Sequence, residues 1–104
     1  MSVYIDNAMI PFRRMKMSHM MADTTEELLE VAERVGLAPR WIQRQGTAWE
    51  HFDVSMSVRA KALLDGAVEV TCRQAAYMLL RRQQTGSLGD PGDAERWFKE
   101  ERRR

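Results

Sequence analysis

Cysteine is scarce in this chain of 104 residues, where Cys72 is the only one. A single cysteine excludes an intrachain disulfide, and it also excludes a zinc site built on paired cysteines. Apolar runs are short as well, and none approaches the roughly 20 residues that a bilayer-spanning helix needs. The start of the sequence lacks the apolar core of a secretion signal. These absences predict a cytoplasmic protein with no membrane partner.

Neither sign of charge dominates the composition. Lysine and arginine number 16, aspartate and glutamate number 15, and the formal net charge is +1. Domains dedicated to nucleic-acid binding carry a clear basic excess, so this balance argues against that class. With 44% hydrophobic and 30% charged residues, the chain has the composition of an ordinary globular protein. Its length suits a single domain.

Several familiar enzyme signatures are also missing. The chain contains no Walker loop, no GxGxxG turn, no HExxH helix and no GxSxG elbow. Their absence argues against several large enzyme classes. Any chemistry therefore depends on residues that the fold collects from separate parts of the chain.

Hydrophobic periodicity predicts the secondary structure. Val3 and Ile5 alternate with polar neighbours in a first strand that ends at Asp6. The fold class is predicted as α/β, with a small mixed sheet of about three strands, three to four packed helices and a C-terminal helical tail. Strands are expected at residues 2–6, 16–22 and 67–71, although the pattern of 16–22 also allows an irregular buried segment. Helices are expected at 24–35, from 39, from 55 or 57 to 64, and at 71–83. A loop is expected at 7–14, and a loop or short extended piece at 47–53.

Two of the helices carry end signals. Thr24 with Glu27 forms a capping box, and Gly36 is placed to end the same helix. Thr71 with Gln74 is a second capping box. The buried stripes expected from the spacing are Leu28, Val31, Ala32 and Val35 in the first of these helices, and Ala76, Leu79 and Leu80 in the second.

The C-terminal part of the chain has a different composition. Residues 85–92 hold three glycines and one proline, which predicts a flexible linker. A helix at 93–103 carries Trp97 and Phe98, which would anchor it on the domain or on a second chain. We therefore expect a single α/β domain at 1–84 and a linker with a terminal helix at 85–104. A homo-oligomer formed through this tail is one option.

Both histidines have a carboxylate close by in the sequence. Asp23 follows His19 by four residues, and Asp53 follows His51 by two. If residues 50–53 are extended, His51 and Asp53 point to the same face. Together with Asp6 and His19 they would hold a divalent metal ion for phosphoester hydrolysis, or supply a general base with its orienting group. The alternative is structural, because His51 would also suit a loop hydrogen bond and Asp53 a helix cap.

Basic and aromatic residues supply candidate contacts for a phosphate-bearing ligand. Arginine suits bidentate capture of phosphate, and serine hydroxyls would assist. Aromatic rings stack on bases but more often complete a core. The candidates are Arg13, Arg14, Lys16, Arg59 and Arg73 for the anion, Ser55 and Ser57 as donors, and Trp41, Trp49 and Phe52 for stacking.

A series of short motifs runs through most of the chain. It comprises Val3-Tyr4-Ile5-Asp6, Pro11-Phe12, His19-Met20, Ala22-Asp23-Thr24, Glu26-Glu27-Leu28, Ala32, Val35-Gly36-Leu37, Trp41-Ile42-Gln43, His51-Phe52-Asp53, Ser57, Arg59-Ala60 and Gly66-Ala67. In this order, over roughly residues 2–74, the chain resembles a family of short bacterial and phage proteins known as a domain of unknown function.

The resemblance implies a shared polar site but no activity. The family pattern has an aspartate where Asn7 stands, and that exchange removes charge that a hard cation would use. The residues implied for the shared site are Asp6, His19, His51, Asp53, Ser57 and Arg59.

Three functions remain open from the sequence. The first is a module that binds a small, polar, phosphate-bearing ligand of nucleotide type, as a phage-type sequestering protein would. The second is a metal-dependent phosphoesterase or nuclease, and the third is an oligomerising interaction protein without a pocket. The ligand-binding set for the first is Asp6, Arg13, Arg14, His19, Trp41, His51, Asp53, Ser57 and Arg59. The metal set for the second is Asp6, His19, His51 and Asp53, and only this function requires a cofactor.

Overall fold

Residues 2–103 are described by the computed structural model, in which a five-stranded mixed sheet has helices on both faces. The α/β class is therefore confirmed. The elements are β1 (Val3–Ile5), β2 (Ile10–Phe12), β3 (Met15–Ala22), α1 (Thr25–Val35), β4 (Phe52–Ser55), α2 (Met56–Leu64), β5 (Val68–Glu69), α3 (Cys72–Thr85) and α4 (Ala94–Arg102). Short 3₁₀ turns form at Pro39–Trp41 and Pro91–Asp93.

Strand β3 is the centre of the sheet. β1 pairs antiparallel with its C-terminal end and β2 with its N-terminal end, while β4 pairs antiparallel with its middle. Because Met17 pairs with both β2 and β4, and Met20 with both β1 and β4, β4 lies on the opposite edge of β3. β5 runs parallel to β1 and extends the sheet beyond it. One edge of β3 is thus shared by two short strands, with Asp6 at the break between them.

The prediction of about three strands is wrong in number, since the sheet has five. β2 lies in the segment expected to be a loop. All of its residues are exposed and Pro11 occupies an edge strand, so no buried alternation marks it. β4 overlaps the segment expected to be a loop or a short extended piece, and its alternation of buried Phe52 and Val54 is only four residues long.

Helices α1 and α2 cover one face of the sheet. The side chain of Thr24 accepts a hydrogen bond from the Glu27 N–H at the start of α1, and Gly36 ends the helix in the left-handed conformation with φ 86°. Only glycine adopts that conformation without strain. Ser55 caps α2 in the same way as Thr24 caps α1. The core on this face is formed by Ile5, Met20, Ala22, Leu28, Val31, Ala32, Val35, Leu37, Phe52, Val54 and Ala62, so the predicted stripe of α1 is confirmed.

Helices α3 and α4 cover part of the opposite face. The capping box of Thr71 and Gln74 starts α3, as predicted. The predicted buried stripe of this helix is wrong, because Ala75 and Met78 are the residues it buries against the sheet, while Ala76 is exposed. The second core cluster contains Tyr4, Met21, Val70, Ala75, Met78, Leu88 and Ala94.

The C-terminal segment packs on this second cluster. Leu88, within the stretch expected to be a flexible linker, is 1% exposed. The Phe98 ring of α4 stacks on Tyr77 of α3 with centroids 4.5 Å apart, and Arg81 lies over the Trp97 ring. The aromatic pair of the tail therefore contacts the same chain. No helix within residues 2–103 has both the length and the apolar character to cross a membrane.

Candidate metal centre

Strand alternation brings the predicted polar residues onto one face of the sheet. His19 of β3 lies directly opposite Asp53 of β4, so the two side chains leave the sheet on the same side. His51 precedes Asp53 by two residues and is held extended by a bridge to Gln43. Asp6 follows β1 next to His19, whose backbone carbonyl accepts from the Asp6 N–H at 3.0 Å. The face is the one that α3 and α4 cover only in part.

The side chains converge closely enough to share an ion. His19 Nε2 lies 3.8 Å and His51 Nε2 lies 3.5 Å from Asp53 Oδ1. The ligand atoms of these three residues all lie within 4.8 Å of one another. Two ligands about 2.1 Å from a tetrahedral ion lie roughly 3.4 Å apart, so these separations are close to those of a metal site.

Hydrogen bonds at Nδ1 orient both imidazoles. His19 Nδ1 lies 2.8 Å from Asp6 Oδ2, and His51 Nδ1 lies 2.7 Å from the backbone carbonyl of Trp49. A carbonyl or an ionised carboxylate only accepts, so in each ring Nδ1 carries the proton. The lone pair of each neutral ring then sits on Nε2, which is the atom aimed at Asp53. This is the arrangement in which outer acceptors fix metal-ligating histidines.

At the break between β1 and β2, the Asp6 carboxylate accepts backbone hydrogen bonds that a neighbouring strand would otherwise accept. Its Oδ1 accepts from the backbone N–H groups of His19, at 2.8 Å, and Ala8, at 3.2 Å. Burial raises the pKa of this carboxyl, but the hydrogen bonds from the His19 ring and from the two N–H groups outweigh burial, and the net pKa is below its usual value. Asp6 is therefore ionised behind His19, where it acts as an outer partner and not as one of the three converging donors.

The negative charge of Asp6 makes His19 a stronger base. The hydrogen bond to Asp6 raises the pKa of His19 above its ordinary value, and burial opposes this only in part. A more basic imidazole is also a better metal ligand at Nε2. Asp53 is held as well, because the Gln43 side-chain amide donates to Asp53 Oδ2 and leaves Oδ1 towards the histidines.

A buried polar network supports the loop that carries His51. Glu50 is 4% exposed and accepts from the Thr25 hydroxyl and the Gly46 N–H. Arg82 of α3 donates to the backbone carbonyls of Ala22, Ala48 and Glu50. Burial lowers the pKa of the Arg82 guanidinium, and nearby Glu50 and Asp23 oppose that change. Helix α3 is thus bonded directly to the His51 loop.

A cavity of about 270 Å³ adjoins the two histidines. Asp6, His19 and His51 form its polar end, and Met21, Trp49, Ala75, Ala76 and Leu79 form most of its apolar wall. Arg44 and Cys72 also line it. Ala76 and Leu79, which the spacing of α3 assigned to the core, face this cavity.

Arg59 of α2 contacts the backbone of Asp6 and none of the three converging donors. Its guanidinium is buried, donates through Nε to the Asp6 carbonyl at 2.9 Å and pairs through Nη2 with Glu69. Those contacts hold the chain at the break after β1. The structure therefore places Arg59 behind Asp6, with Nε and Nη2 bonded to Asp6 and Glu69.

The other residues predicted to contact a ligand are not among the three converging donors. Arg13 and Arg14 are exposed in the turn between β2 and β3, and Ser57 is exposed with its hydroxyl 3.2 Å from that of Ser55. Trp41 is exposed and lines a larger cleft that also reaches Asp53. Of the two roles left open for Phe52, stacking on a base or completing the core, the structure shows the second, since Phe52 is 1% exposed in the core.

Sequence reasoning missed the residues that support the cluster. Arg44, Glu50 and Arg82 belong to none of the motifs, and the motif that ends at Gln43 does not show its bond to Asp53. These roles depend on the fold of the loop and on its contact with α3. One signal was available for Glu50, which sits beside the His-aromatic-Asp triplet and is followed by a strand that buries alternate residues.

The donor set has a definite chemical character. Two imidazoles and one carboxylate suit Zn²⁺, Mn²⁺ or Fe²⁺ and are too rich in nitrogen for Ca²⁺ or Mg²⁺. Three protein donors leave positions for water and substrate, as in catalytic sites.

Comparison with known proteins identifies the family and nothing more specific. No curated protein and no solved structure matches the chain. One family model matches over residues 3–82, which include all of the cluster and the loop that supports it. The resemblance to a domain of unknown function is therefore confirmed. The chain belongs to the family described as protein of unknown function (DUF4031).

Proposed function

We propose that this protein is a metal-dependent phosphoesterase whose divalent ion is held by His19 Nε2, His51 Nε2 and the Asp53 carboxylate. The observation that carries the proposal is the convergence of these donors, with both imidazoles already hydrogen-bonded at Nδ1. A site preorganised in this way binds an ion without rebuilding its ligands.

The open coordination positions are where hydrolysis would occur. A divalent ion polarises a phosphoryl oxygen and lowers the pKa of a bound water. Held by His19, His51 and Asp53, the ion would supply an activated water for hydrolysis, whose oxygen would form the new P–O bond and whose proton would pass to solvent. The ester P–O bond breaks, and its electron pair stays with the leaving oxygen, which takes up a proton from water. Water is the only co-reactant.

The adjoining cavity favours an anionic substrate. Arg44 lines it together with both histidines. Cys72 and Ala75, from the first turn of α3, line it as well, but their N–H groups already donate to Asn7 Oδ1 and to the Thr71 carbonyl. Arg44 would therefore supply the positive charge that pairs with a phosphoester while the ion acts on it.

The proposal is tested by metal titration combined with a hydrolysis assay. Chelator-treated protein is titrated with Zn²⁺ and with Mn²⁺ by calorimetry and native mass spectrometry, and hydrolysis of bis(p-nitrophenyl) phosphate and p-nitrophenyl phosphate is followed. We expect one ion per chain and metal-dependent release of nitrophenol. His51→Gln and Asp53→Asn should weaken ion binding by more than the roughly 10–100-fold that loss of an outer partner causes.

Two matched variants control for general effects of substitution. Gln45→Ala changes an exposed side chain on the same loop as His51, and Asp65→Asn removes a carboxylate that pairs with Arg34 away from the cluster. Both should bind the ion as the unmodified chain does. Failure of the unmodified chain to bind either ion would overturn the proposal.

Binding of a phosphate-bearing, nucleotide-like ligand without conversion is the second candidate function. One observation favours it: the Asn7 Oδ1 accepts from the Cys72 N–H, so this position supplies helix capping in place of a second carboxylate at the ion. A sequestering protein would retain both metal and nucleotide and release no product. That outcome in the assay would replace the esterase proposal with this one.

A further inference from the structure

We propose that the cleft between Phe12 and Trp41 is a binding site for the base of a nucleotide whose phosphate reaches the metal centre. This inference rests on the proposed function, and it names the class of substrate that the same site takes: a phosphate ester attached to a flat aromatic group. Neither ring belongs to the cluster of converging donors.

The cleft has the size and lining of a small-molecule site. Its volume is about 600 Å³, within the roughly 300–1,000 Å³ of pockets that hold small ligands. Apolar side chains from β2, β3, α2 and the segment after α1 form most of its wall. They are Phe12, Met15, Met17, Leu37, Trp41 and Val58.

The cleft adjoins the metal centre. Asp53, one of the three converging donors, also lines the cleft. A smaller cavity of about 160 Å³ shares Phe12, Met17 and Asp53 with the cleft and reaches His19. A ligand lying along this path would have one end between the aromatic rings and the other beside the ion.

Both rings are available to a ligand. Phe12 and Trp41 are each 53% exposed. Aromatic side chains that are exposed in this way at a cleft are typical stacking platforms for bases. A methionine-rich wall adapts to flat groups of different shape.

Positive charge lies at the same rings. The Arg13 guanidinium is 5.5 Å from the centroid of Phe12, and the Arg40 guanidinium is 5.5 Å from that of Trp41. Among the described residues that line the cleft, Asp53 is the one acidic side chain. Guanidinium groups at these rings attract the electron-rich face of a base, while the anionic group of the same ligand would lie at the ion. This combination favours a nucleotide over an uncharged apolar ligand.

A pair of ligands isolates the contribution of the base. AMP and ribose 5-phosphate carry the same phosphate ester, and only AMP has a base. Their binding to metal-loaded protein is compared by calorimetry. We expect AMP to bind at least about 10-fold more tightly, as stacking on one aromatic platform allows.

Variants of the ring then locate the effect. Trp41→Ala should bring the affinity ratio of AMP to ribose 5-phosphate close to one, with metal content unchanged, and Trp41→Phe should retain most of the preference. Trp97→Ala, which removes a tryptophan of α4, is the matched control and should leave the ratio as it is. Because Trp41 is exposed, its loss should not unfold the protein.

The outcomes separate this inference from the function on which it rests. Equal binding of the two ligands by metal-loaded protein would overturn the base site and leave the phosphoesterase proposal intact. An AMP preference that depends on Trp41, in a chain that binds no divalent ion, would support the base site and overturn the phosphoesterase proposal. A ratio that falls as far in Trp97→Ala as in Trp41→Ala would also overturn the base site.

Discussion

The two faces of the sheet are built from the same strands and have opposite characters. In β4, Phe52 and Val54 point into the core beneath α1 and α2, while Asp53 between them points to the metal cluster. In β3, Met20 enters that core and the adjacent His19 does not. One strand thus serves stability and the proposed chemistry at alternate positions.

The difference comes from how far the helices extend over each face. α1 and α2 cover the first face, and the apolar side chains between them and the sheet are buried. On the second face, α3 and α4 cover the end at Tyr4 and Met21, and the end at His19 and Asp53 adjoins cavities. Polar groups are stable only where hydrogen-bond partners, water or a ligand satisfy them. The open end of the second face meets that condition.

The largest effect should come from a cavity in the core on the closed face of the sheet, which is the face that α1 and α2 cover. Phe52→Ala removes a fully buried ring and should lower the free energy of unfolding by about 3–5 kcal/mol. His51 is the residue before Phe52 and lies on the other face of the sheet. His51→Ala should lower the free energy of unfolding of metal-free protein by about 1 kcal/mol, because it loses one hydrogen bond to the Trp49 carbonyl.

Urea denaturation in the presence of a chelator measures both variants. Metal binding should show the opposite order, since His51→Ala should abolish it and Phe52→Ala should retain it wherever the protein remains folded. Similar losses of unfolding free energy in the two variants would contradict the division between the faces.

A smaller effect is expected from neutralising the outer partner of His19. Asp6→Asn keeps an Oδ1 that accepts from the His19 and Ala8 N–H groups, so the fold should persist. Its neutral amide no longer makes His19 a stronger base, and affinity for Zn²⁺ should fall by about 10–100-fold. Calorimetric titration measures the change. Asp23→Asn, which alters a carboxylate bonded to the Ser2 N–H at the far end of β1, should leave the affinity unchanged.

The smallest effect concerns a polar group on the closed face. Within residues 2–103, the Ser18 hydroxyl is buried without a hydrogen-bond partner. Ser18→Ala should therefore raise the free energy of unfolding by about 1 kcal/mol, since burial of an unsatisfied hydroxyl is unfavourable. Urea denaturation tests this, with the exposed Ser57→Ala as the variant expected to change little. Destabilisation by Ser18→Ala would show that the hydroxyl has a partner.

The sequence was most informative where local rules decide the structure. The ends of α1 followed from the capping residue Thr24 and from Gly36, and the start of α3 followed from Thr71 with Gln74. Strand β2 and the buried face of α3 did not follow. β2 is formed by pairing with β3 rather than by burial of its own residues, and the orientation of α3 is set by its contacts with Tyr4, Met21 and the tail.

In the candidate site too, local spacing predicted some features, and others depend on contacts between distant residues. The prediction that His51 and Asp53 share a face needed only the twofold period of an extended chain, and the strand confirms it. The support of His51 by Glu50 and Arg82 involves residues more than 30 positions apart in sequence. No local pattern encodes such a contact. The roles proposed for the ligand-binding residues and the expected cytoplasmic location stay predictions.

By itself, the sequence determined the α/β class, the helix caps and the alternation that gives each strand a polar and an apolar side. Those properties depend on residues a few positions apart, whose geometry the backbone fixes. Only the tertiary structure decided that Asp6 stands behind His19 and that His19, His51 and Asp53 point at a common centre. Strand pairing across β3 sets those positions, because it brings together side chains that lie far apart along the chain.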